Sequence, residues 1–91
     1  MSSRIARRVV VTGQVQGVFF RDTMRREAGR HGVGGWVRNR PDGTVQAHLE
    51  GAPDDVAALV LWCRSGPRHA EVEDLEVTVV EPAGADRFLV R

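Results

Sequence analysis

The chain has 91 residues, of which 13 are basic and 12 acidic, for a formal net charge of +1. That length holds one domain with a small core, and no apolar run reaches the length of a membrane span. The balanced charge offers no field for nucleic acid or acidic lipid, an all-arginine basic set excludes lysine Schiff-base chemistry and a Walker-type loop, and the lone Cys63 excludes an internal disulfide.

Met1 to Ile5 lacks the apolar stretch of a signal peptide, so a cytoplasmic location is expected. Arg4 to Thr12, with β-branched Val9 to Thr12, reads as a strand. A loop from Gly13 leads into a helix over Arg21–His31, where Phe20, Met24 and Ala28 fall on one face and Gly32 marks the end. The tripeptide Arg30-His31-Gly32 also occurs in histidine phosphatases. Here it closes a helix, in a chain too short for that fold, and reads as a C-terminal cap.

Gly35–Arg40 and Thr44–Glu50 form a hairpin across the turn Pro41-Asp42-Gly43. In the second strand Val45, Ala47 and Leu49 alternate with Gln46, His48 and Glu50, which places His48 on the solvent side. Val56, Leu59, Val60 and Cys63 then recur at i, i+3, i+4 and i+7 in a helix from Pro53 to Arg64. Pro53 suits its first position, Asp54 and Asp55 match the positive end of its dipole, and Ser65-Gly66-Pro67 stops it. Leu75, Val77 and Val79 alternate with polar neighbours in a further strand, and Phe88-Leu89-Val90 follows Pro82-Ala83-Gly84 as a short edge strand. The order βαββαβ predicts an α+β, ferredoxin-like sandwich, with two helices on one face of an antiparallel sheet and residues 1–91 forming a single domain.

Nucleophile motifs are missing. Ser2, Ser3 and Ser65 lie outside any Gly-x-Ser-x-Gly elbow, and Cys63 belongs to an apolar helical stripe. His31, His48 and His69 lack metal-ligand spacing, so no metal or other cofactor is expected. Trp36 reads as a packing aromatic, Trp62 as a cover over the core edge, and Arg7-Arg8 and Arg25-Arg26 as solvated faces. The remaining candidate is the loop Gly13-Gln14-Val15-Gln16-Gly17-Val18-Phe19-Phe20-Arg21. Backbone N–H groups at a helix N-terminus can cup an anion, and an arginine fork beside them can hold two of its oxygens. Residue chemistry alone leaves two readings open: an ordinary strand-to-helix turn with a solvated arginine, which is the commoner case, or a phosphate site.

Gly13-x-Val15-Gln16-Gly17-Val18-x-Phe20-Arg21 resembles the first signature of the acylphosphatase family, and Gly35-Trp36-Val37-Arg38-Asn39-x-x-x-Gly43-x-Val45 resembles the second. Gly66-Pro67-x-x-Ala70-x-Val72 and Phe88-x-Val90-Arg91 are similar to later landmarks of that family, so the likeness runs along almost the whole chain. It implies an acylphosphatase, a metal-independent hydrolase that cleaves carboxyl-phosphate mixed anhydrides to a carboxylate and inorganic phosphate. Arg21 then becomes the phosphate-binding catalytic residue and Asn39 the residue that positions water. The backbone of Gln16, Gly17, Val18, Phe19 and Phe20 becomes the phosphate cradle. Acetyl phosphate, carbamoyl phosphate and 1,3-bisphosphoglycerate are the substrate types implied, with no nucleic-acid or membrane partner and a monomeric protein.

So sparse a site is chemically sufficient. The leaving carboxylate has a conjugate-acid pKa near ~4 and departs without a general acid. Phosphoryl transfer through a loose transition state asks mainly for positioning and charge stabilisation. A substrate phosphate oxygen could accept the water's proton, which would account for the missing base. The rival expectation is a non-catalytic phosphate-binding or sensing module on the same fold, because fold alone does not fix function. Asn39 separates the two, since a binder has no need to orient water.

Overall fold

The apolar periodicities resolve into seven elements, β1 (Ile5–Gln14), α1 (Phe20–His31), β2 (Gly34–Asn39), β3 (Val45–Gly51), α2 (Pro53–Cys63), β4 (Glu71–Val80) and β5 (Phe88–Val90). The structure is a computed structural model that describes residues 3–91. Met1 and Ser2, the first residues of the stretch read as having no signal peptide and one of the three serines, lie outside the described residues. Two helices pack on one face of a five-stranded sheet ordered β4-β1-β3-β2-β5. This is the ferredoxin-like α+β sandwich.

Strand alternation sets the core. Val9 and Val11 of β1, Val37 of β2, and Val45, Ala47 and Leu49 of β3 point to the helices and are buried. They meet Phe20, Met24 and Ala28 of α1 and Val56, Leu59 and Cys63 of α2, the two stripes read from the sequence. Trp62 closes the core edge, its ring edge-on to Phe20 at 5.2 Å between centroids. Burial pushes the Cys63 thiol up to about 12, so it is no thiolate nucleophile at neutral pH.

The sheet departs from the expected antiparallel arrangement at one edge. β5 lies parallel to β2, with Trp36 opposite Leu89, while the other pairings are antiparallel. β4 and β5 occupy opposite edges, so the chain between them must cross the sheet, and it does so over the face away from the helices. That crossover corrects the reading of His48 as solvent-exposed. His48 and Glu50, which lie on that face beside Trp36, are buried.

Glu50 anchors the crossover. Its carboxylate accepts the backbone N–H of Ala83 at 3.0 Å and of Gly84 at 3.1 Å, Arg4 Nη2 at 3.3 Å, and His48 Nε2 at 2.9 Å. Arg4 also donates to the Ala85 carbonyl at 2.9 Å. Arg8 Nη2 lies 3.4 Å from His48 Nδ1. A guanidinium only donates, so Nδ1 accepts and the imidazole proton sits on Nε2, facing Glu50. Burial alone would raise the Glu50 carboxyl, but the donors from His48, the Ala83–Ala85 segment and Arg4 outweigh it and hold it at about 2.

Candidate active site

The loop between β1 and α1 is built around backbone conformations that few residues adopt. β1 slips register against β4 between Thr12 and Gly13, and Gly13 has φ 133°. A Cβ there would lie 2.1 Å from the Glu71 carbonyl oxygen, so only glycine fits. Past this bulge Val15 turns into the core. Gln16 points the other way, its side-chain amide donating to the carbonyls of Arg40 at 2.8 Å and Thr44 at 3.0 Å. The loop is thereby tied to the β2–β3 hairpin, at the end of which Asn39 sits.

Phe19 caps α1 in the left-handed conformation, φ 63° and ψ 26°, although it is not glycine. Such strain persists where surrounding structure enforces it, and it clusters at functional sites. No side chain caps this helix start. Its first-turn N–H groups therefore keep their capacity to bind an anion. The Phe19 ring is largely exposed at the mouth of the loop, while Phe20 is buried beneath it.

A cavity of about 270 Å³ opens here, lined by Val15, Gly17, Phe19, Phe20, Arg21, Asp22, Asn39 and Val90. Arg21 and Asn39 therefore share one cavity with three of the five cradle residues, Gly17, Phe19 and Phe20. Gln16 and Val18 do not line it: Gln16 clamps the hairpin, and Val18 packs partly against the core. Arg21 Nη1 donates to the backbone oxygen of Arg91 at 2.8 Å, and Arg91 N donates to the Val37 carbonyl at 2.8 Å. This braces one nitrogen of the guanidinium. Asn39 Oδ1 is buried and has no hydrogen-bond partner. A buried acceptor left open is rare in native structures.

The remaining groups near the cavity are accounted for. Asp22 contacts Arg25 at 3.0 Å and Arg26 at 3.1 Å, so these arginines are paired rather than simply solvated. Downstream of Asn39, the Thr44 hydroxyl and amide bond Asp42 at 2.6 and 3.0 Å, holding its carboxyl below the usual value and stiffening the turn. Among the described residues no three His, Cys, Asp or Glu side chains gather as a metal site. Asp22 follows Arg21 directly, yet lies outside the first signature, and Val15 stands in that signature without being read as part of the site. Val90 and the oxygen of Arg91 arrive only through the β2–β5 pairing, which adjacency in sequence does not signal.

Comparison with known proteins agrees with this architecture. The acylphosphatase family model matches residues 7–90. An acylphosphatase of Nocardioides sp. is 58% identical over 83 residues, covering 91% of this chain and 84% of the relative. Among solved structures, an acylphosphatase from Coxiella burnetii superposes with TM-score 0.93 at 33% identity, covering 97% of this chain and 93% of that one. An acylphosphatase from Bacillus subtilis gives TM-score 0.92 at 34% identity, covering 96% and 98%. No helix among the described residues is long and apolar enough to cross a membrane. By sequence along nearly its whole length, and by fold, the chain belongs to the acylphosphatase family of hydrolases.

Proposed function

We propose that residues 1–91 act as one domain that hydrolyses small-molecule acyl phosphates, without a metal, at the cavity holding Arg21 and Asn39. The observation that carries this reading is that Asn39 lines the same cavity as Arg21 and the uncapped start of α1. The phosphoryl group sits against the loop amides and the helix dipole, with Arg21 donating from the nitrogens that Arg91 leaves free. The Asn39 side-chain amide holds a water with its lone pair toward phosphorus.

The water oxygen forms a bond to phosphorus as the bond from phosphorus to the acyl oxygen breaks. The electron pair of that bond leaves on the carboxylate. The proton released by the water goes to a phosphate oxygen, so an acyl phosphate dianion and water become a carboxylate and dihydrogen phosphate. A carboxylate is a stable leaving group at neutral pH, so no side-chain acid is required. The arginine and the amides stabilise charge on the equatorial oxygens, which is where a loose transition state needs it.

Asn39→Ala tests this directly, through phosphate release from benzoyl phosphate in excess chelator. Asn39 is neutral, so the variant keeps the charge of the cradle. Turnover should persist with chelator in the wild type, and kcat should fall by about 10²-fold or more in the variant. The inhibition constant for inorganic phosphate should change only a few-fold. Near-wild-type kcat would make Asn39 structural, and loss of wild-type activity in chelator would mean that a metal ion takes part.

A further inference from the structure

The face of the sheet away from the helices carries a second cavity, of about 440 Å³, outside the site described above. Its floor is one rung of the sheet: Arg8, His48, Trp36 and Leu89 lie side by side across β1, β3, β2 and β5 in successive register pairs. The crossover residues Ala83 to Asp86 form a wall, and Arg87 and Arg91, on the same side of β5 as Leu89, complete the lining. The guanidinium carbons of Arg8 and Arg91 stand 5.1 and 4.8 Å from the Trp36 ring centroid.

Among the described residues, Arg8, Arg87 and Arg91 make no ion pair. Asp86 lines the cavity, while the Glu50 carboxylate is already engaged by His48, Arg4 and the crossover amides. Contact with the tryptophan face offsets part of the repulsion among the guanidinium groups but supplies no acceptor. Among the described residues Arg8 Nε has no acceptor.

Guanidinium forks match phosphate and carboxylate oxygens, and a cavity wider than the catalytic one admits a ligand with more than one such group. We propose that this cavity is a second, non-catalytic anion site. It takes a small molecule bearing several negative groups, held by Arg8, Arg87 and Arg91 with its body against Trp36.

Trp36 itself provides the readout. In a Trp62→Phe background, intrinsic fluorescence is followed while tripolyphosphate, and separately citrate, is added at constant ionic strength. At least one probe should give a saturable change with Kd at or below about 1 mM, and the tighter of the two identifies phosphate or carboxylate as the preferred group. Arg8→Gln and Arg87→Gln should each raise that Kd about tenfold or more, while the same probe's inhibition constant against acyl phosphate turnover stays within about twofold. Arg87 is exposed, so its variant decides the matter should Arg8→Gln misfold. Arg91 stays unaltered because its backbone also holds Arg21. The proposal is overturned if neither probe gives a saturable change. It is equally overturned if the change survives Arg8→Gln and Arg87→Gln, or if these variants weaken the probe's inhibition of turnover to the same extent, which would assign the signal to the catalytic cavity.

Discussion

The two faces of the sheet are covered by opposite means. Toward the helices, Val9, Val11, Val37, Val45, Ala47 and Leu49 disappear under apolar side chains whose packing is indifferent to pH. On the other face a carboxylate and an imidazole are buried under a length of irregular chain. The first face derives its stability from area removed from water, the second from a small set of directional bonds. A sheet can therefore have two interiors, one tolerant of conservative change and one that fails when a single donor or acceptor is removed.

Three substitutions probe that contrast. The largest effect is expected from Leu59→Ala, which leaves a cavity under the fully buried α2 stripe and should cost about 3–5 kcal/mol. Urea unfolding should find that cost the same at neutral and mildly acidic pH, because no titrating group is involved. A pH-dependent loss would mean that the helical face also leans on ionisation.

Glu50→Gln should cost about 2–4 kcal/mol at neutral pH, since four donors lose their charged acceptor. Its pH dependence has a definite sign. A carboxyl held at about 2 against an ordinary 4.5 stabilises the folded state fully above the ordinary value and loses that contribution as pH falls toward 2. The gap in unfolding free energy between wild type and Glu50→Gln should therefore shrink as pH drops through this window. A gap of constant size would mean that the carboxylate charge adds nothing.

Gly34→Ala should have the smallest effect, about 1–3 kcal/mol, and should act on the crossover alone. A Cβ at Gly34 would lie 2.2 Å from the Ala85 carbonyl oxygen, so the crossing segment must lift. Amide exchange should quicken around Ala83 and Gly84 while the α2 amides keep their protection. Uniform loss of protection would show that the two faces yield together.

The same contrast explains what could be read in the chain. Both helices and every strand followed from local signals, because Met24 or Leu49 announces its environment through spacing alone. His48 and Glu50 could not be read that way: their alternation with Ala47 and Leu49 is that of a solvated face, and only the distant Pro82–Arg87 segment buries them. Arg21 and Asn39 were legible through their motifs, and the fold puts them on one cavity. The brace on Arg21 was not, since it depends on a parallel pairing between segments far apart in sequence. Local periodicity reports which way a side chain points, but not what arrives later to cover it.

The parallel β2–β5 pair also bears on the order in which the protein assembles. An antiparallel hairpin such as β2–β3 closes through a short turn, whereas β5 must wait for the chain to pass through α2 and β4 and back across the sheet. Contacts so distant in sequence are slow to form, and this one delivers Val90 to the cavity of Arg21 and Asn39 and the Arg91 oxygen to Arg21. During refolding from denaturant, the helical circular dichroism should return before turnover does. An acyl phosphate would then meet a finished catalyst only after the final strand has docked, so a nascent chain that already looks folded would still be inert.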